Sequence, residues 1–215
     1  MNDETSSVIL HKILIYSVME TLTTESPIIS KRKLSTDEYH LMAKAGIIRP
    51  DERVELIKGE IVEMGGTPLS PIGKEHAAVV RRINKLLNRE LDTTKFIIDQ
   101  QNPVKIADHS EPEPDLMVVP HRDDFYAETG VRSKDVLLLI EVSDTTLQKD
   151  TEIKLPLYAE ATIPEVWIVD VKAAKIYQYL KPRHGEYLER KTYDRSMKMA
   201  TTHFDFETEA KNLIG

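Results

Sequence analysis

Apolar residues in the middle of the chain recur at two spacings, one typical of helices and one typical of strands. In "KEHAAVVRRINKLLNREL" they return every three or four positions, which predicts an amphipathic helix. The apolar positions of this helix are Val80, Ile83, Leu87 and Leu91. Its polar side carries a basic edge formed by Arg82, Lys85 and Arg89. This edge is either a solvated face or a rim that contacts phosphate groups.

The second spacing predicts strands along the rest of the chain. The segment "VLLLIEV" is apolar almost throughout, which is typical of a strand covered on both faces. Shorter runs predict two strands around a turn at Lys58-Gly59 in "RVELIKGEIVEM", one or two strands in "KFIIDQQNPVKIAD", and one in "PDLMVVP". Two more strands, "EVWIVDV" and "KIYQYLK", are joined by a turn, and "GEYLERKTYD" follows them. The tail after these segments is short and polar.

Two further helices complete the pattern. The segment "STDEYHLMAKAG" predicts a short helix, because Ser35 or Thr36 can cap its start and Gly46 suits its end. Another helix crosses over after "VLLLIEV", but Pro156 disfavours the helical conformation of the residue before it. This crossover helix therefore either begins near Lys154 or kinks there.

These elements predict a single mixed α/β domain over residues 31–215, with a central sheet flanked by helices. The sequence contains no internal repeat, no low-complexity tract and no linker long enough to divide it. Residues 1–30 are interpreted as an N-terminal extension, either a mobile arm or a helix used in assembly.

Composition and charge restrict the chemistry that this domain can perform. Of 215 residues, 40% are hydrophobic and 30% are charged, as in ordinary soluble proteins, and no apolar run approaches the ~20 residues of a membrane span. The absence of cysteine excludes disulfides and thiolate metal sites and is compatible with a cytoplasmic protein. A formal net charge of −7 argues against binding nucleic acid by bulk electrostatics. Any contact with DNA would need a local basic patch and a bound cation.

Two acids and a lysine stand where strands begin and end. Asp115 opens the strand in "PDLMVVP", Glu141 closes the strand in "VLLLIEV", and Lys154 lies on the element that follows. If the two strands pair, both carboxylates can point into one pocket, where each raises the pKa of the other unless a cation is present. Mg²⁺ prefers such oxygen ligands, and the carbonyl of Val142 could complete the set. A lysine beside the metal could orient or help to deprotonate a water and stabilise charge on a phosphate, which outlines phosphodiester hydrolysis.

Each of these residues has a simpler explanation when taken alone. An aspartate after a proline, such as Asp115, is commonly a turn or cap residue. Glu141 could be ion-paired or exposed at its strand end, and Lys154 could be a surface lysine. Only their combination favours a site.

The ordered segments "STDEYHLMAKAGI", "DERVELIKGEIVEM", "SPIGKEHAAVVRRINKLL", "EPDLMVV" and "DVLLLIEVSDTTLQKDTEIKLPLYAEATIPEVWIVD" resemble the Uma-type family of predicted restriction endonucleases, within the PD-(D/E)XK nuclease superfamily. The resemblance runs from about Lys33 to about Leu180. It implies a restriction endonuclease-like fold and DNA cleavage that depends on Mg²⁺, with Mn²⁺ as a possible substitute. One departure is Thr162, where the family usually has glycine.

The resemblance also implies roles for individual residues. Asp115 matches the PD aspartate and Glu141 matches the second acid, while the signature lysine position is Ser143 in this chain. In this family the following helix supplies the lysine, which corresponds to Lys154. Glu55 matches an upstream acid that could complete the catalytic site.

Several other residues lie near these positions in the sequence. Gln100 could face the pocket, and His76 could touch a metal-bound water or a phosphate unless it is a capping or core residue. Tyr158 lies one turn beyond Lys154 and either packs over it or belongs to the core. Trp167 is expected in the core, and Asp170 at a strand end.

Three functional hypotheses follow, the first of which is a Mg²⁺-dependent DNA endonuclease, expected as a cytoplasmic homodimer because cutting two strands needs two sites. The second is a nuclease fold that binds nucleic acid or a protein without cutting. The third is a structural or regulatory homodimer in which residues 1–30 serve assembly.

Overall fold

A computed structural model of the chain describes residues 30–63 and 73–215. The extension predicted over residues 1–30 lies, apart from its last residue, outside the described residues, so its role stays a prediction. Residues 33–215 form one compact unit. Among the described residues, no helix is long and apolar enough to cross a membrane.

The secondary structure mixes short helices with strands in chain order. The helices are α1 (Thr36–Lys44), α2 (Lys74–Glu90), α3 (Leu147–Lys149), α4 (Leu155–Glu160) and α5 (Lys211–Ile214), with a 3-10 turn at Ser133–Asp135 and a π-helical turn at Asp150–Lys154. The first strands are β1 (Val54–Ile57), β2 (Glu60–Glu63), β3 (Phe96–Gln100), β4 (Val104–Lys105), β5 (Leu116–Pro120) and β6 (Val131–Arg132). The later strands are β7 (Leu138–Ser143), β8 (Glu165–Asp170), β9 (Lys175–Arg183), β10 (Glu186–Tyr193), β11 (Lys198–Ala200) and β12 (Glu207–Glu209).

Six of the strands form a mixed central sheet in the order β10-β9-β8-β7-β5-β3. Strands β7 and β8 run parallel, and their connection is the helical crossover from α3 to α4. The other neighbours in this sheet are antiparallel. Strands β7 and β8 are buried along their whole length, as predicted for "VLLLIEV" and typical of strands covered on both faces.

The sheet separates two hydrophobic cores, because alternate side chains of each strand point to opposite faces. On β7, Leu138, Ile140 and Val142 pack under α2, whereas Leu139 packs into the other core. That second core includes Tyr158 of α4 and thus lies under the crossover segment. Glu141 and Leu139 share a face by this alternation, so Glu141 points into the side covered by the crossover.

The local sequence explains the two predicted elements at the start of the described chain. Ser35 caps α1 through a capping box with Glu38, as the sequence predicts. The turn between β1 and β2 has Lys58 at φ 50° and Gly59 at φ 80°, the left-handed pair of a tight hairpin. This hairpin carries Glu55 on its first strand.

The C-terminal segment contradicts the prediction of a short polar tail. Its strands β11 and β12 form a small hairpin, and α5 packs against α2. The buried residues Met199, Phe206, Leu213 and Ile214 belong to the core under α2. Their apolar positions are separated by polar ones at irregular intervals, so no helical or strand period revealed them.

The α-helical part of the crossover begins at Leu155 with Lys154 as its N-cap residue, which confirms the prediction that it begins near Lys154. Leu155 keeps helical dihedral angles (φ −58°, ψ −46°) although Pro156 follows it. The irregularity lies one turn earlier, where the amide of Leu155 donates to the carbonyl of Asp150 across a π-helical turn. A proline lacks a donor and crowds the carbonyl four residues before it, so a wider turn at this point accommodates it. The predicted irregular backbone at Lys154 is therefore present, as a π turn.

Candidate functional site

The pairing of β5 with β7 brings Asp115 and Glu141 together. Leu116 is paired with Ile140 in this antiparallel register, so extending it by one residue sets Asp115 opposite Glu141 on the same face. Asp115 Oδ2 accepts a hydrogen bond from the amide of Val142 at 2.8 Å. The two acids that the sequence singles out thus meet at one end of adjacent strands.

The backbone of Val142 presents a carbonyl beside these acids. Extending the register by a second residue would set Pro114 opposite Val142, and a proline nitrogen cannot donate to a strand partner. The amide and carbonyl of one strand residue point to the same side, and the Val142 amide points to Asp115. The Val142 carbonyl therefore lies on the Asp115 side without a ladder donor from Pro114.

Lys154 is buried between two glutamates that are far apart in sequence. Its Nζ lies 3.0 Å from Glu141 Oε1 and 3.0 Å from Glu55 Oε1, and the lysine is 1% exposed. Glu55 Oε1 also accepts from the backbone amide of Glu113 at 3.0 Å, whereas Glu55 Oε2 is buried without a partner. The structure thus brings together the predicted residues Glu55, Glu141 and Lys154.

Tyr158 supplies a further donor to this group. Its hydroxyl donates to Glu141 Oε1 at 2.5 Å, and the ring is fully buried in the core under the crossover. Tyr158 follows Lys154 by four residues, which places both side chains on one side of the helical segment. Both sequence interpretations of Tyr158 thus hold at once, since it is a core residue and a neighbour of Lys154.

Burial and charge shift the pKa values of the central pair. Burial is the largest cause that raises the pKa of Glu141; Lys154 opposes it, Asp150, Asp115 and Glu55 add to it, and together these effects raise the pKa to about 8. Burial acts to lower the pKa of Lys154, but Glu141 and Glu55 outweigh it and raise that pKa above its ordinary value. Lys154 therefore stays protonated at neutral pH, whereas burial favours the protonated form of Glu141.

The surroundings of the group carry an excess of negative charge. Burial and the nearby Glu113, Glu111 and Glu55 raise the pKa of Tyr39 to about 12. The pKa of Glu113 is also raised, by burial and then by Glu55. A potential that disfavours further negative charge attracts cations.

His76 reaches the same site from the first turn of α2. Its Nε2 lies 3.1 Å from Asp115 Oδ2, and its Nδ1 is buried without a partner. Burial acts to lower the pKa of His76, but its hydrogen bond and charge interaction with Asp115 raise it overall. The sequence left open a contact with a metal-bound water or phosphate and a capping or core role for His76, and the contact that the structure shows is with Asp115 itself.

A cluster of hydroxyl groups ties the strand to the crossover. Asp150 Oδ2 accepts from Ser143 Oγ at 2.7 Å and from Thr146 Oγ1 at 2.7 Å. Ser143 ends β7, and Thr146 precedes α3. The position that holds lysine in the superfamily signature is thus occupied by a buried hydroxyl that binds the start of the π turn.

The site offers only a small set of oxygen ligands for a hard cation such as Mg²⁺. Among the described residues, no group of three or more histidine or acidic side chains is arranged to hold a metal ion. Mg²⁺ usually binds through one or two carboxylates and keeps several waters. Asp115, Glu141 and the Val142 carbonyl provide that smaller set, and the unpartnered Glu55 Oε2 adds an oxygen nearby.

Three other predicted positions have clear outcomes. Gln100 does not face the pocket, because it pairs with Leu116 on the α2 side of the sheet, and its Oε1 accepts from Asn84 at 2.8 Å. Trp167 is fully buried in the core as predicted. Asp170 ends β8, where its Oδ1 accepts from the amide of Ala173 at the following turn.

Sequence reasoning missed Asp150, and it assigned no hydrogen bond to Tyr158. A polar residue in a crossover helix commonly faces solvent, so nothing in the spacing distinguished Asp150 from its neighbour Glu152. The sequence signal that could have indicated Asp150 is Pro156, because a proline inside a helix favours an irregular turn just before it. Residues inside such a turn do not follow the helical period.

The sequence matches the model of a family described as "Uma2: Putative restriction endonuclease" over residues 36–207. No protein of curated function matches the chain. Among solved structures, the chain is similar to a "putative nuclease belonging to DUF820" from Anabaena variabilis, with a TM-score of 0.62 and 17% identity over 84% of this chain and 97% of that one. This likeness confirms the predicted mixed α/β, nuclease-like fold. Because the family match spans most of its length, the chain belongs to the Uma2 family of putative restriction endonucleases.

Proposed function

We propose that this protein is a Mg²⁺-dependent endonuclease that hydrolyses phosphodiester bonds of DNA. The observation that carries the proposal is the buried group in which Lys154 Nζ lies 3.0 Å from both Glu55 and Glu141, beside the Asp115–Glu141 strand pair. A folded protein gains little stability from burying two carboxylates against one ammonium, because their desolvation is costly. A function that uses the excess negative charge explains why the group is there.

Asp115, Glu141 and the carbonyl of Val142 would hold the cation. A bound Mg²⁺ stabilises charge on the phosphate and acidifies a coordinated water, which is the chemistry that hydrolysis of a phosphodiester requires. The pKa of Glu141, near 8, means that binding a cation at neutral pH also displaces a proton from this carboxyl. Glu55 neutralises Lys154 from the other side and limits its movement.

Lys154 orients the attacking water and stabilises the charge that grows on the phosphate. It does not take the proton of that water, because its raised pKa keeps the ammonium protonated at neutral pH. The water attacks phosphorus in line as the bond from phosphorus to the 3′ oxygen breaks. The attacking water gives a proton to solvent, and the departing 3′ oxygen takes a proton from solvent and leaves as a hydroxyl. The products are 5′-phosphate and 3′-hydroxyl ends, a polarity taken from the superfamily resemblance.

A small basic rim offers contacts for the DNA backbone. Arg53 is exposed and acts electrostatically on His76, and Lys74 is exposed at the start of α2. Lys172 is exposed and lies 3.9 Å from Asp144, which itself approaches the start of α2. These cations come from three separate elements around the acids, which suits a chain whose net charge is negative.

Salt dependence tests the rim. The slope of log binding constant against log salt concentration measures the number of phosphate contacts. Neutralising Arg53, Lys74 and Lys172 together should reduce the magnitude of this slope by up to about 2–3 for duplex DNA. The matched control neutralises Lys85 and Arg89 on the basic edge of α2 together with Lys198 of β11. If the control triple variant loses as much slope as the rim variant, the three rim residues are not the specific DNA contact, and the proposed rim is wrong.

The proposed activity is tested with supercoiled plasmid and Mg²⁺ or Mn²⁺, beside EDTA. Metal-dependent nicking or linearisation is expected for the wild type and should vanish in Glu141→Ala and Asp115→Ala, with metal binding also lost in the second variant. Glu152→Ala is the matched control, because it removes an exposed acid that makes its hydrogen bond with Gln148 outside the buried group. Cleavage that survives Asp115→Ala would contradict the assigned site.

A second candidate is a nuclease fold that binds nucleic acid or a protein partner without cutting it. The observation that favours it is that no group of three metal-binding side chains exists among residues 30–63 and 73–215. Under this alternative, the wild type would neither cut plasmid nor bind Mg²⁺ in calorimetry. The homodimer proposed for cutting both strands is tested separately, by light scattering on the full chain and on a form that starts near Ser30.

A further inference from the structure

We propose that Asp150 is a positioning residue that anchors the π-helical turn and thereby holds Lys154 against Glu141. This inference rests on the proposed function, since it concerns the lysine of the same site. The hydrogen bonds of the Asp150 side chain go to Ser143 and Thr146 rather than to Lys154 or Glu141, so its positioning effect on Lys154 would be transmitted through the backbone, apart from the direct effect of its charge.

The first argument is the burial of the Asp150 carboxylate. The residue is 4% exposed, and its Oδ2 is bound by two hydroxyl donors, Ser143 Oγ and Thr146 Oγ1, at 2.7 Å each. A buried carboxylate is costly unless its hydrogen bonds are made. These two bonds join the end of β7 to the start of the crossover, so they fix where the helical segment leaves the sheet.

The second argument is that the backbone of Asp150 makes the hydrogen bonds on both sides of the irregular turn. Its amide donates to the carbonyl of Thr146 at 2.9 Å, and its carbonyl accepts from the amide of Leu155 to close the π turn. One additional residue in a turn rotates the following side chains by about 100° relative to a regular helix. The direction of Lys154 relative to β7 therefore depends on this turn.

The third argument connects the turn to the missing strand lysine. Ser143 stands at the signature position of the lysine, is 0% exposed, and uses its hydroxyl to bind Asp150. The strand position that holds a lysine in the superfamily signature holds a serine here, and this serine binds the segment that carries Lys154. Ser143, Asp150 and Lys154 form a linked unit in this arrangement.

The turn also contains a matched control residue. Glu152 is exposed and accepts a hydrogen bond from Gln148 at 3.0 Å on the outer side of the same turn. Removing its carboxylate changes the same backbone segment and the same net charge without touching the Ser143–Asp150 link. A general weakening of the turn would affect both variants.

The first measurement is the reactivity of Lys154 toward an amine-acylating reagent, followed by mass spectrometry under native conditions. Lys154 is 1% exposed and should be protected in the wild type and in Glu152→Ala. In Asp150→Ala it should become modified while the core strands keep their hydrogen-exchange protection. Where Asp150→Ala does not fold, Asp150→Leu replaces it, because its side chain is similar in size and shape and cannot accept the hydrogen bonds of Ser143 and Thr146. Continued protection of Lys154 in a folded Asp150 variant would overturn the inference, whatever the activity of the protein.

The second measurement is a double-mutant cycle on plasmid cleavage with Lys154→Met. A displaced lysine should lower kcat at least ~10-fold in Asp150→Ala with little change in KM, because small errors in position are costly in catalysis. In the Lys154→Met background, the same substitution should cost nothing further. Additive losses would mean that Asp150 acts independently of Lys154. A wild type that does not cut, with Lys154 protection still dependent on Asp150, would refute the proposed activity and leave the positioning role standing.

Discussion

The substitution Glu141→Gln tests the electrostatics of the site without any assumption about the substrate. Gln has the shape of Glu but cannot ionise, so it reproduces the neutral form of the buried carboxyl. Glu141 is 3% exposed, and burial is the main cause of its raised pKa. The variant therefore isolates the free energy of placing a negative charge at this position.

The magnitude follows from the pKa of the folded and unfolded states. The folded pKa is about 8 and the ordinary value is 4.5, so the folded protein holds this proton more tightly than the unfolded chain does. The stabilisation from Glu141 is fully present below pH 4.5 and is lost as the pH rises toward 8. Between pH 5 and pH 7 the loss amounts to about 3 kcal/mol, at about 1.4 kcal/mol for each pH unit. Gln shows no such loss, so the stability of the variant relative to wild type should increase by this amount.

The assay is urea unfolding of both proteins at pH 5, 6 and 7 in the presence of EDTA. Other carboxyls titrate in both proteins, so the difference between the two free energies of unfolding isolates Glu141. Glu152→Gln is the matched control, because its carboxylate is exposed. Its difference from wild type should stay constant with pH.

A difference between Glu141→Gln and wild type that does not change between pH 5 and pH 7 would refute the reasoning. It would mean that Lys154 and Tyr158 compensate the buried charge fully and that Glu141 has an ordinary pKa. Adding Mg²⁺ at pH 7 gives a second comparison, since a ligand that binds only the folded state stabilises it. The wild type should gain stability and Glu141→Gln should not.

Two further predictions concern the backbone around the site. Thr162→Gly should raise the free energy of unfolding by about 0.5–1 kcal/mol in urea, because Thr162 has φ 57° at the end of α4 and a β-branched residue is strained there; an unchanged or lower stability would contradict the strain. Gly59→Ala should lower it by more than about 1–2 kcal/mol, because Gly59 has φ 80° and an added Cβ would lie 2.4 Å from Lys33 Cβ; a thermal midpoint equal to wild type would contradict the clash.

The hydrophobic pattern predicts the central sheet and α2 because both are dominated by burial. The apolar strand "VLLLIEV" is buried on both faces, and its side chains pack into two separate hydrophobic cores. The same pattern predicted that Asp115 and Glu141 meet, since both stand at ends of apolar strands that pairing brings together. Strand register is therefore what made the proximity of these two acids predictable.

The remaining features depend on contacts that no local period encodes. The C-terminal segment is ordered by single apolar side chains such as Phe206 and Leu213 that fill one core from irregular positions. The sequence allows Gln100 to face the pocket, but its pairing with Leu116 sets it on the other face of the sheet. The partner of Glu55 came only from the fold, because 99 residues separate it from Lys154.

Under the proposed function, the lysine of the site lies on a helix and not at the strand position of Ser143, which changes what must hold it in place. A lysine at Ser143 would be directed by the sheet, whose hydrogen bonds fix side-chain direction at every second residue. A lysine on a helix is directed by the rotation of that helix, and a change of one residue turns it by about 100°. Such a lysine therefore needs its helix fixed to the strand that carries the acid. The hydrogen bond from Ser143 to Asp150 makes this connection, and Tyr158 and Glu55 hold the other end of the group. Conversely, a lysine introduced at Ser143 would remove the hydroxyl that donates to Asp150 and so break this hydrogen bond.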